Sequence, residues 1–180
     1  MSPSTDGSTI AEPIAIAAAA SAVLCQCREL IESLDRDCYA KQSDRLKGGT
    51  IGKHVRHSVD HFAAALQGFD RGELVDYDRR SRDVPMETDR CEATAVIGEL
   101  IARLDGMGEK ELASSVRIRV MLDGSGTETE LVSSLGRELW FATHHAIHHH
   151  AMIKSIVEEH GSCAPDDFGK APSTINHERG

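Results

Sequence analysis

The sequence predicts an all-α fold, a four-helix bundle with a short β-hairpin inserted before the last helix. Three observations carry this expectation. Four long stretches repeat apolar residues at helical spacing. Aromatic residues are scarce at 4%, so the core must be aliphatic and alanine-rich, which suits close-packed helices. One short stretch alternates apolar and polar residues at period two. At 180 residues, 40% apolar and 27% charged, the chain reads as one globular domain long enough to bury a core.

The elements follow in order. Residues 1–9 are mostly Ser, Thr, Gly and Pro and are expected as a disordered tail. The bundle is placed over 10–160. Its first helix runs from about Ile10 to Cys38, with no breaker after Pro13. Thr50 follows Lys47-Gly48-Gly49 and is placed to cap a second helix, Ile51 to Phe69. On it Ile51, Val55, Val59, Phe62, Leu66 and Phe69 recur at helical spacing. Asp70 to Pro85 is dense in Asp and Arg and reads as a surface connection. A third helix fits Glu87 to Leu104, stopped by Asp105-Gly106. Ser115 to Leu122 alternates apolar with polar, turns at Asp123-Gly124-Ser125-Gly126, and returns through Glu128 to Val132 as a hairpin. The last helix spans about Ser134 to Glu159 and ends at Gly161. Residues 161–180, with Pro165 and Pro172, are expected as an extended segment.

Charge and cysteine usage narrow the class. The formal charge is −9, and without a basic stripe such a chain repels a phosphate backbone, so no nucleic-acid partner is expected. The apolar run Pro13 to Leu24 follows Asp6 and Glu12 instead of Lys or Arg. It is also shorter than the roughly 20 residues a bilayer requires. No membrane association is expected. Five cysteines, Cys25, Cys27, Cys38, Cys91 and Cys163, form no paired pattern. They suit free thiols in a cytoplasmic protein. There is neither a P-loop nor a G-x-G-x-x-G.

The histidines carry the chemistry. Eight of the ten fall in two clusters: His54, His57 and His61 on the second helix, and His144, His145, His148, His149 and His150 on the last. Neutral imidazole is a ready ligand for Zn, Ni or Fe. At about 100° per residue, positions four apart share a face. The apolar set Val132, Leu135, Leu139, Ala142, Ala146, Ile153, Ile156 and Val157 lies mostly within a quarter turn of His149. His149 therefore sits at the edge of the buried stripe with His145 beside it. His144 and His148 are rotated about 100° toward solvent. Small Ala142 and Ala146 leave room for an ion. His145 and His149 are the expected ligands of a divalent transition metal. A third ligand must come from another helix, and His54, His57 and His61 share an arc of about 60° within which periodicity does not choose.

Two segments resemble the DinB-like superfamily, four-helix bundles that include the bacillithiol- and mycothiol-dependent transferases. They are Ile51-Gly-Lys-His-Val-Arg-His57-Ser-Val-Asp60-His61-Phe and Arg137-Glu-Leu-Trp-Phe-Ala-Thr-His-His145-Ala-Ile-His-His149-His-Ala-Met-Ile153. In that family one histidine early in the second helix, often followed three residues later by Asp, meets an HxxxH pair on the last. The resemblance implies the metal triad His57, His145 and His149; among the remaining residues His61 is the alternative third ligand. The resemblance further implies a homodimer and a metal-dependent S-transferase that activates a low-molecular-weight thiol as its small-molecule substrate. A non-enzymatic metal- or ligand-binding bundle is the alternative, and metal-dependent hydrolysis, with Asp60, His61 or Glu138 as base, ranks third. Asp60 fits either an acceptor behind a ligand imidazole or an i, i+4 partner for Arg56. Arg79, Arg80 and Arg82 read as a solvated charged loop, and Cys163 as an inert thiol.

Overall fold

The computed structural model describes residues 11–79 and 84–180. The tail expected over residues 1–9 lies outside the described residues, as do Arg80 and Arg82. Helix α1 spans Ala15–Ser33 and the short α2 Arg36–Tyr39. Helix α3 spans Ile51–Arg71 and strand β1 Val75–Asp76. A 3-10 turn at Pro85–Glu87 precedes α4 (Arg90–Asp105) and the short α5 (Glu109–Leu112). Strands β2 (Ser115–Met121) and β3 (Glu128–Ser134) lead into α6 (Leu135–Glu159), and α7 closes the chain over Pro172–Arg179.

The all-α expectation is corrected. Among the described residues there are seven α-helices and a three-stranded mixed sheet, in the order β1-β2-β3. The hairpin pairs as its alternation requires, with Ile118 opposite Leu131 and Ser115 opposite Ser134. Its other edge takes β1 in parallel, Val75 opposite Ile118. A two-residue strand has no periodicity to reveal it. It is created by packing: Val75 is fully buried, with its Cγ2 where a side chain on Gly68 would begin. Val132, counted above with the apolar stripe of the last helix, stands instead on β3 and is 77% exposed.

Helix boundaries follow local chemistry. The Thr50 hydroxyl accepts from the Lys53 amide at 3.1 Å, and Gly72, at φ 66°, closes α3 in the left-handed conformation. Asp89 caps α4 and Ser134 caps α6. The single first helix expected from Ile10 to Cys38 is broken at Leu34, whose backbone is extended. No glycine or proline causes this. The guanidinium of Arg90 donates to the carbonyls of Ile31 and Leu34, satisfying acceptors that a continued helix would have used. Beyond the break, Tyr39 is fully buried and its hydroxyl donates to the Met86 carbonyl at 2.8 Å.

The long helices close the core, α3 lying along α6 while α1 packs on both α4 and α6. Ile51, Val55 and Phe62 of α3 and Leu135, Leu139, Ile153 and Ile156 of α6 are all 0% exposed. Ala142 and Ala146 are fully buried as well. The packing of α3 along α6 brings the α3 histidines against those of α6. The C-terminal segment expected to be extended instead returns to α6 and then forms helix α7, opened by Pro172 at its first position. Phe168 is buried, and the Lys154 ammonium donates to the carbonyls of Pro165 and Asp166. Among the described residues, no helix is long and apolar enough to cross a membrane.

Candidate metal centre

Helices α3 and α6 each present histidines one turn apart, and their packing interleaves the two sets. His57, His145 and His149 each offer one nitrogen, and these three atoms lie within 4.8 Å of one another. His57 Nε2 and His145 Nε2 are 2.9 Å apart. At that distance two imidazoles share either a proton or an ion. Two nitrogens each about 2.0–2.1 Å from one ion, at a right angle, stand about 3 Å apart. The ring of His57 stands nearly perpendicular to that of His149, with centroids 4.5 Å apart. His149 is buried, while His57 and His145 are half-buried and leave one side of the group open.

The surrounding groups orient these rings. His149 Nδ1 meets His54 Nδ1 at 2.9 Å, which leaves His149 Nε2 for the centre. His61 Nδ1 lies 2.8 Å from the His57 carbonyl oxygen, which can only accept, so this nitrogen carries a proton. The His61 ring stacks on His145 at 4.0 Å and on Tyr77 at 5.1 Å. Tyr77 donates its hydroxyl to Glu138 at 2.8 Å, and Ser133 donates to the other oxygen of the same carboxylate at 2.6 Å. Glu138 is 1% exposed, and these bonds together with the Arg137 guanidinium at 3.2 Å satisfy its buried carboxylate.

Burial sets the protonation states. His149 is pushed down to about 3, first by desolvation and then by the neighbouring His145 and His54. His54 is lowered by desolvation and by His148. A neutral imidazole keeps the lone pair a metal requires. Burial and the facing Glu138 carboxylate raise the Tyr77 phenol, which stays protonated and donating.

The remaining histidines part company. His144 and His148 are exposed, His144 meeting the edge of Trp140. His150 is buried elsewhere, its ring stacked flat on Phe168 at 4.5 Å and its pKa pushed down to about 4 by burial. Asp60 pairs with Arg56 at 3.2 Å, and Arg56 also pairs with Glu87. Arg79 is exposed and pairs with Asp76 and Glu128. Cys163 is exposed and free. Two contributors are fixed only by the fold. His54 was one of three equivalent candidates until its partner on α6 was known. Tyr77 lay in a stretch read as surface connection.

The comparisons with known proteins bear on family. A curated relative from Rhizopus delemar, named FK506-binding protein 5, is 36% identical over 105 residues. The match covers 58% of this chain and 27% of the relative, so the chain spans about a quarter of that protein's length. No protein-family model matches the chain, and no solved structure matches it. The DinB-like membership expected from the two histidine segments is corrected by this relative, whose name points to a different family. The thiol-transferase function drawn from that resemblance is withdrawn with it, and so is the all-α bundle it implied.

Proposed function

We propose that His57, His145 and His149 hold one divalent transition-metal ion, and that the protein acts as a metal-binding module open to a small donor ligand. The convergence of three imidazole nitrogens within 4.8 Å, on two helices packed against each other, supports this reading. Three neutral nitrogens suit Zn, Ni or Fe and leave at least one coordination position for a ligand. An ion so held is a Lewis acid toward whatever donor fills that position. The chain's own residues orient the ligands: His54 turns His149, while the hydrogen bond that His61 Nδ1–H donates to the His57 carbonyl fixes the His61 ring against His145. Free cysteines, two of them buried, suit a reducing cytoplasm.

The test is elemental analysis of protein purified without a His-tag and dialysed against trace metals, beside His145→Ala/His149→Ala. Near-stoichiometric metal in the wild type and its loss in the variant are expected. Equal metal in both would sink the site.

The relative's name supplies a second reading, that this chain shares FK506 binding and a prolyl-isomerase type of activity. The fold has room for an apolar ligand away from His57, His145 and His149. A cleft of about 590 Å³ lies between α1 and the C-terminal segment, lined by Leu30, Ala164, Pro165 and Phe168 among others. That volume is typical of small-molecule sites. Calorimetric titration with FK506, paired with an isomerase assay on a proline-containing peptide, separates the readings. FK506 binding that survives His145→Ala/His149→Ala assigns it to a second site, and no heat at micromolar protein removes it.

A further inference from the structure

We infer that His54 is a positioning residue for the metal centre, accepting the Nδ1 proton of His149 and so presenting His149 Nε2 to the ion. The inference rests on the metal reading above, and names a fourth histidine that the ligand set does not include.

The geometry carries it. The two Nδ1 atoms are 2.9 Å apart, with ring centroids 5.2 Å apart and a tilt of 37°. Two neutral imidazoles meeting through Nδ1 have only two arrangements, because one must donate and the other accept. If His54 donates, the proton of His149 sits on Nε2 and that nitrogen has no lone pair for an ion. If His149 donates, its Nε2 is free to ligate. Metal binding therefore selects the second arrangement, and His54 supplies the acceptor that makes it available. A metal-bound histidine almost always passes its other ring proton to an acceptor, which fixes both tautomer and orientation. Here the acceptor is an imidazole where a carboxylate or carbonyl is usual.

The sequence holds His54 in place from both sides. It lies in the first turn of α3, its amide donating to the Thr50 carbonyl at 3.2 Å. The loop before the helix then closes over the ring: a Cβ built on Gly49 would stand 3.1 Å from His54 Nε2 and 2.9 Å from the Leu46 carbonyl. Glycine at 49 lets the loop lie flat against the imidazole. His54 Nε2 is itself buried and has no hydrogen-bond partner among the described residues. Among the described residues the polar partner this ring finds is His149, toward which it is oriented.

The experiment measures Zn²⁺ affinity by competition with a chromophoric chelator, for wild type, His54→Phe, His54→Asn and His145→Ala. His54→Phe keeps a ring but removes the acceptor, and a loss of about 10–100-fold is expected. His54→Asn restores an acceptor oxygen and recovers most of that loss, which a purely space-filling role would not produce. Nitrogen-15 spectra of the zinc-loaded wild type should show the His149 proton on Nδ1. Zinc binding in His54→Phe as tight as in wild type, with His145→Ala defective, overturns the role of His54 and leaves the metal site standing. Should His54→Phe fail to fold, His54→Asn and the tautomer decide: a His149 proton on Nε2 overturns the proposal. A wild type with no zinc affinity overturns the metal reading first, and this inference with it.

Discussion

Helix α6 carries two histidine pairs of identical spacing, His145 with His149 and His144 with His148, and the two have different fates. The inner pair faces α3 and meets His57 and His54 at hydrogen-bond distance. The outer pair is exposed, and His144 meets the edge of Trp140 on its own helix. Both pairs fit an HxxxH pattern. Rotation by one residue, about 100°, separates a candidate centre from a solvated face. A motif of ligand type is therefore not a site until a second element supplies the remaining nitrogens and excludes water.

The comparison breaks most directly at the metal. Replacing the inner pair with alanine should lower Zn²⁺ affinity by more than about 100-fold, beyond the loss expected of an outer-shell change. His144→Ala/His148→Ala should bind as wild type does and keep its stability within about 0.5 kcal/mol, as exposed positions usually do. Zinc lost equally from both double variants would erase the distinction.

Protonation sharpens it next. His149 is held near 3 in the folded chain and His150 near 4, each from an ordinary 6.5. The unfolded chain therefore takes up these protons first. Their contribution is fully present above pH 6.5 and is lost as pH falls through the window from 6.5 toward 4 and 3. Urea melts of the metal-free protein should show a midpoint that drops between pH 7 and pH 5. His150→Gln and His149→Gln should each make that decline shallower, and an unchanged slope would show that neither group is coupled to folding.

Packing comes last. Ala146 is fully buried beside the inner pair, and Ala146→Leu adds volume where there is none. A loss of about 1–3 kcal/mol in chemical denaturation is expected. Zinc affinity should fall with it, because any shift of α6 in the core moves the adjacent His145 and His149 relative to α3. Stability lost without loss of affinity would mean that the centre tolerates a looser interface than 2.9 Å between nitrogens suggests.

Much of the local structure was legible because its causes are local. Thr50, Asp105-Gly106 and Gly161 mark helix ends through capping and backbone freedom, and the observed helices begin or stop within a few residues of them. The hairpin was legible from alternation and its Asp-Gly-Ser-Gly turn. What was not legible depended on distant partners. Leu34 breaks the first helix because Arg90, far along the chain, takes its carbonyl. β1 is a strand only because Val75 fits over Gly68 and beside β2. A family resemblance built on two histidine segments proved weaker than a relative matched over 105 residues, since spacing alone recurs wherever helices carry ligand-type residues.

For the histidines the division is sharp. The sequence by itself determined that His145 and His149 turn inward and that His144 and His148 turn out, because a single helix with 3.6 residues per turn orders its own faces. It could not rank His54, His57 and His61, which share one face of α3. Only the tertiary structure did that, because their separate roles depend on the axial register of α3 against α6. That register sets His57 against His145, His54 against His149, and the ring of His61 flat upon His145.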